Sequence, residues 1–256
     1  MIFLEKLFES RFREYIKNQG IVKRADIENA YRKTIEEWKR MPCQALGGDT
    51  PAEYLAKLYN NDKLADYIME AFENKIKIGD ITAEYAASLA PAQKLKLMKK
   101  VFLEGNDAAR LFAVEILDSE TDDLSTDFLI EVLLDCKNYD KAVIDVVFES
   151  FKDGRAGLDN KLLSATNNLN DTVDNRELKE MLLDILSAYG ANRKVRELVT
   201  EGLLEGDDVM LYANLLGRCG DDESIEVLKE YAKSRKLSAE EYMEVRNAVE
   251  RLGGDI

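Results

Sequence analysis

Asp107, Asp140, Asp174 and Asp207 lie 33, 34 and 33 residues apart, and each opens a stretch with helical apolar spacing. A period of this length predicts one supersecondary unit repeated along the chain. Each unit then buries its apolar face against its neighbours rather than around a single centre. Counting from each Asp, the fourth following position is Leu111, Ile144, Leu178 and Leu211. The seventh or eighth is Val114, Val147 with Phe148, Met181 with Leu182, and Leu215. Residues at these intervals share one face of an α-helix. Asp suits the opening position, where its carboxylate accepts an orphan backbone N–H and favours the positive end of the helix dipole. Ser238 with Glu241 reads as a capping box that opens a shorter fifth unit. That unit has Tyr242, Val245 and Val249 as its face and ends at Gly253-Gly254.

The second helices repeat as well. Leu186–Leu198 aligns with Leu216–Leu228 at a shift of 30, which places Gly190 over Gly220 and Val195 over Ile225. Both glycines fall where the first helix of a pair must stop, as left-handed C-cap residues do. Here the chain resembles the short HEAT-like repeats of bacterial αα-superhelices, most clearly in Leu215-Leu-Gly217-Arg-Cys-Gly220-Asp221. The resemblance covers residues 107–252. It implies a right-handed αα-superhelix and a binding surface rather than an enzyme. Tetratricopeptide and ankyrin repeats have similar periods, but the Thr-Pro-Leu-His and Trp/Leu-Gly/Tyr signatures are absent. The expected fold class is all-α, with an N-terminal helical domain or cap over residues 1–90 and a HEAT-like solenoid over residues 91–256. Ala142–Phe148 is rich in β-branched residues and could read as a strand. With Asp140 as cap and Ile144, Val147, Phe148 and Phe151 on one face, it is predicted to be a helix.

The first hundred residues lack that period. Leu4, Leu7, Phe8, Phe12, Tyr15 and Ile16 mark one amphipathic helix, and Ile27, Tyr31, Ile35 and Trp38 another. Gly47-Gly48 make a loop, after which Thr50 and Glu53 form a capping box with Pro51 in the first turn. Shorter helices follow at 51–59, 62–74 and 82–89, and Pro91 opens a helix over 91–103.

The residues exclude several chemistries. The chain has no histidine, so Ser-His-Asp and Cys-His catalysis, His-ligated zinc and His/Glu di-iron sites are ruled out. Gly47-Gly48, Gly105 and Gly154–Gly157 lack a Gly-Lys-Ser/Thr ending and a preceding strand, so they read as turns. Asp118–Asp123 is similar to a calcium loop, but position six is Asp123 rather than Gly and position twelve is Leu129 rather than Glu. Cys43, Cys136 and Cys219 are too few and too widely spaced for a disulfide framework or zinc cluster, and read as reduced core thiols of a cytoplasmic protein. Tyr31 with Trp38, and Met41 with Met98, read as core packing rather than a ligand cage. No apolar run reaches the roughly 18 residues of a membrane span, and Glu5-Lys6 breaks a signal-peptide core. No metal, cofactor or membrane partner is expected.

Charge separates the two halves. Residues 1–100 hold 18 Lys/Arg and 15 Asp/Glu, whereas the remainder carries a net −17 of the total −14. Such a surface repels nucleic-acid phosphates. HEAT-like DNA glycosylases present basic grooves, so the resemblance does not carry their function here. Lys94, Lys96, Lys99 and Lys100 form a small basic patch, and Asp118–Asp135 holds seven acids and no base. Asp123, Asp127, Glu131 and Asp135 recur every fourth residue, a slanting band on one helix. Like charges at that spacing cost about 0.2–0.5 kcal/mol per pair. The band is either a solvated face paired with Arg110, Lys141 or Lys161, or a binding surface for a basic segment. The functional expectation is a non-catalytic scaffold for a protein or peptide partner. The competing readings are a carboxylate-, Tyr- or Cys-dependent enzyme or lyase on the same scaffold, and a regulatory module docking through its N-terminal helices. Stacking carries its own test. Deleting residues 207–256 exposes the apolar faces of the preceding pair, so a fragment of residues 1–206 is expected to aggregate or bind a hydrophobic dye. A soluble, monomeric and cooperatively unfolding fragment in size-exclusion and melting experiments contradicts it.

Overall fold

The computed structural model describes every residue except 120, 121, 153–157, 170–172, 191, 207 and 256, and every side chain but those of residues 173 and 174. The described residues form fifteen α-helices and no strand. They are α1 (Leu4–Gln19), α2 (Arg24–Trp38), α3 (Pro51–Asn60), α4 (Leu64–Glu73), α5 (Asp80–Ser88), α6 (Pro91–Glu104), α7 (Asp107–Asp118), α8 (Asp123–Leu134), α9 (Lys141–Lys152), α10 (Leu158–Asn168), α11 (Val173–Ala188), α12 (Arg193–Glu205), α13 (Val209–Cys219), α14 (Asp222–Ser234) and α15 (Ala239–Arg251). The β-branched stretch 142–148 is helical within α9, with Val143, Ile144 and Val147 buried.

Side-chain caps set many of the helix starts. Thr50 accepts from the Glu53 N–H while Glu53 reaches back to Thr50, and Ser238 with Glu241 does the same ahead of α15. Asp140 Oδ1 accepts from the Ala142 N–H at 2.8 Å. At two other periodic Asp positions the cap is the neighbouring residue. Asn106 caps α7 and leaves Asp107 one step inside, and Asp208 caps α13. Asp174 falls in the first turn of α11, and Asp207 lies outside the described residues. An acid at the cap or one step inside it meets the same helix dipole, so the period survives a one-residue slip. Gly190 has the positive φ expected of it, at 98°. Gly220 does not: its backbone is extended, at φ −73°. There glycine is required by space, because a Cβ would run into the Leu216 carbonyl oxygen and lie 2.8 Å from the Ser224 Cβ.

The chain forms two compact units, residues 1–146 and 147–256, dividing within α9. In the first, α1 packs on α2, and α3, α4, α5 and α6 each meet the next helix but one as well as, in most cases, the next. Thus α3 meets α5, α5 meets α7, α4 meets α6, and α6 meets α8. In the second unit α11, α13 and α15 form one such row, and α12 with α14 another. This is how helical hairpins stack, first helix on first and second on second. The pairing legible from Asp107 onward therefore starts at Pro51. Its early helices open at residues 51, 80 and 107, a shorter spacing than the later period. The expected boundary near residue 90 falls inside the first unit, where α6 packs on α4, α5, α7 and α8.

Glycines fix how closely the second unit packs. A Cβ on Gly217 of α13 would lie 2.9 Å from the Ala248 Cα of α15. A Cβ on Gly202 of α12 would overlap the ring of Tyr212, itself only 4% exposed. Overpacking of this kind costs about 1–3 kcal/mol. Gly202→Ala is therefore expected to lower the free energy of unfolding by about 1–3 kcal/mol, read as a lower urea or thermal midpoint, while helical circular dichroism is retained. An unshifted midpoint would show that the Tyr212 ring relaxes freely.

Candidate functional site

The acidic band is built by α8. Phe128, Leu129, Val132 and Leu133 turn inward, leaving Asp123, Asp127 and Glu131 on the exposed face. Asp135 is exposed at the C-cap, accepting from the Asn138 side chain at 2.6 Å. Asp122, which caps α8, takes the N–H groups of Leu124 and Ser125 and the Ser125 hydroxyl. Partial burial raises the pKa of Asp122. The bonds from Ser125 and Leu124 together with the Lys94 charge outweigh this and hold it below the usual carboxylate value.

The sequence's basic patch pairs with acids of the same unit, with Lys96 exposed, Lys99 and Lys100 partly exposed and only Lys94 buried. Lys99 Nζ lies 3.3 Å from Glu131 and 4.9 Å from the centre of the Phe128 ring. Lys100 reaches Asp66 at 2.7 Å and Lys96 reaches Asp62 at 3.5 Å. Lys94 is 1% exposed. Arg110 pairs with Asp107 rather than with the band.

The same four-residue register recurs on two other second helices, where the spacing of the acids is present in the sequence itself. Glu197, Glu201 and Glu205 are exposed on α12, and Asp222, Glu226 and Glu230 are exposed on α14. An open groove of about 950 Å³ runs between α12 and α14, with Glu197, Glu201, Glu205 and Glu223 among its walls. At the N-terminal ends of these helices Arg196 pairs with Asp221 at 2.9 Å and Arg193 with Glu197 at 2.9 Å.

A second concavity, of about 420 Å³, lies in the first unit among α1, α2 and the segment leading into α5. Its floor includes Phe8, Phe12, Ile35, Ile76, Ile78 and Ile81, with Glu5, Tyr31 and Asp80 on its walls. Glu5 is fixed from three sides. Thr82 donates to Oε1 at 2.7 Å and the Gly79 N–H at 3.3 Å, while Tyr67 donates to Oε2 at 2.6 Å. The Tyr67 oxygen in turn accepts from the Leu4 N–H at 3.0 Å. Trp38 is core, as expected, at 2% exposure, whereas its stripe partner Tyr31 is half-buried and faces the cavity. Met98 is core too, but Met41 is exposed, its sulfur 3.6 Å from the Arg11 guanidinium.

The three cysteines are free thiols in different surroundings. Cys219 is buried, and burial pushes its thiol up to about 11; Cys43 and Cys136 are half-buried rather than core. Among the described residues no three His, Cys, Asp or Glu side chains gather as metal ligands, and no helix is long and apolar enough to cross a membrane. Comparison with protein-family models, curated proteins and solved structures finds no match to this chain.

Buried hydroxyls give the first unit a pH signature. Burial raises Tyr67 well above the ordinary value of 10.0, and the Glu5 carboxylate adds to the shift; burial also raises Tyr31, Tyr54 and Tyr85. The folded state holds these protons where the unfolded chain releases them. Their contribution is complete below the unfolded value and is lost as pH rises past it. The urea midpoint is expected to fall between about pH 9 and pH 11. Tyr67→Phe strands the Leu4 N–H, costs about 1–3 kcal/mol and flattens that fall. An equally steep alkaline fall in Tyr67→Phe contradicts the assignment.

Proposed function

We propose that the protein is a non-catalytic interaction scaffold, a HEAT-like right-handed αα-superhelix whose second helices offer acidic faces to a basic protein or peptide segment. The observation that carries the reading is the recurrence of exposed acids in one register on α8, α12 and α14. Asp123, Asp127, Glu131 and Asp135 form the most acidic of these faces, where Lys99 of α6 pairs with Glu131. The groove between α12 and α14 adds the shape that an extended or helical peptide needs. The row-on-row packing within each unit supports the repeat architecture. Surface charge of one sign speeds encounter with an oppositely charged partner more than it deepens final affinity.

The test is kinetic. Asp127→Lys with Glu131→Lys, and separately Glu201→Lys with Glu205→Lys, are expected to slow association with an immobilised Lys/Arg-rich peptide about tenfold or more. Wild-type association should slow as salt rises, and the melting temperature should be unchanged or raised. Association rates that neither reversal nor salt alters would reduce these faces to solvated surface.

A further inference from the structure

The α1–α2 cavity has the composition of a ligand site. Its volume of about 420 Å³ falls within the range of roughly 300–1,000 Å³ typical of small-molecule pockets. Three aromatic rings line it in a corner. Phe8 and Phe12 are nearly parallel, at 13° with centres 5.8 Å apart, and Tyr31 stands edge-on to both at 83° and 89°. Ring faces carry negative potential and attract cations. Two carboxylates sit on the same walls, and among the described residues neither Glu5 nor Asp80 has a lysine or arginine at ion-pair distance. Burial and, after it, the charge of the Asp80 carboxylate raise the Tyr31 hydroxyl above its ordinary value, as expected of neighbours on one wall. Glu5 Oε1 takes two donors and Oε2 one, which leaves Oε2 with acceptor capacity, since each carboxylate oxygen has about two lone-pair sites.

The opposite charge fits less well. Lys6 and Lys77 also line the cavity, but the Lys6 ammonium lies 5.9 Å from the Phe3 ring centre. An anion entering here would also meet two carboxylates and the negative faces of the rings.

We propose that this cavity binds a small organic ammonium ion with an apolar body, its head between Glu5, Asp80 and the Tyr31 ring and its body against Phe8, Phe12 and Ile78. The site is built from residues of the first unit alone, and it does not depend on the scaffold reading. Either can fail alone.

Trp38, the single tryptophan, packs against Phe8 with ring centres 5.4 Å apart and reports on the cavity. The full chain is titrated with phenethylammonium and with 3-phenylpropionate, a probe of similar size and opposite charge. Tryptophan fluorescence should saturate with the cation at a Kd of about 1 mM or below, and the anion should bind at least about tenfold more weakly. Asp80→Asn changes an exposed residue and should weaken the cation about tenfold. Phe12→Ala should do so too, with circular dichroism checking its fold. If Phe12→Ala does not fold, Asp80→Asn decides. Equal binding of both probes, an affinity unmoved by Asp80→Asn, or no saturable response by fluorescence or calorimetry up to about 10 mM overturns the proposal.

Discussion

Every α-helix among the described residues is short, between 9 and 16 residues, and helices of that length are marginal in water alone. Burial of one apolar stripe per helix against the neighbouring hairpins is therefore the interaction on which the rest depends. It explains why most helices contact both the next helix and the next but one within each unit. It also explains why small residues stand where two helices come closest. Gly202 beneath Tyr212 and Gly217 against Ala248 hold α12, α13 and α15 at their spacing. Side-chain caps complement the packing, since every short helix adds two ends with unsatisfied backbone groups.

Packing then decides which charges remain available. The four lysines of α6 lie between two acidic helices, α4 and α8. Three pair with Asp62, Asp66 and Glu131, and Lys94 is taken out of solvent near Asp122. What looks in one dimension like a basic patch is a row of surface lysines, each beside an acid of the same unit, with Lys94 alone buried. Exposed ion pairs are each worth little, about 0–1 kcal/mol, so their main effect is to offset the lysines' positive charge locally. Exposed acids remain on α8 in the first unit and on α12 and α14 in the second.

The N-terminal helices serve a different end. Glu5 is tied to Tyr67, Thr82 and Gly79, which fixes α1 on α4 and α5. The fixed carboxylate and the Phe8, Phe12 and Tyr31 rings leave a concavity with apolar walls beside α1. A core that needed only stability could have filled this space with side chains, at a gain in packing.

By itself the sequence determined the helices. The apolar spacing after each periodic Asp, the Thr50–Glu53 and Ser238–Glu241 capping boxes and the helix-opening Pro51 and Pro91 are local signals, and local backbone energetics obey them. It also placed Asp123, Asp127 and Glu131 on one exposed face, because a buried stripe fixes what lies opposite. Periodicity names a face but not the face it meets. Hence only the tertiary structure decided that pairing begins at α3, that Lys99 answers Glu131, and that Lys94 is buried. It alone showed that Gly220 serves clearance rather than handedness. The cavity was equally hidden: Glu5 meets Tyr67 and Thr82 across 62 and 77 residues of chain. Contacts between residues so far apart in the chain leave no spacing to read, and only the packed helices bring those side chains together.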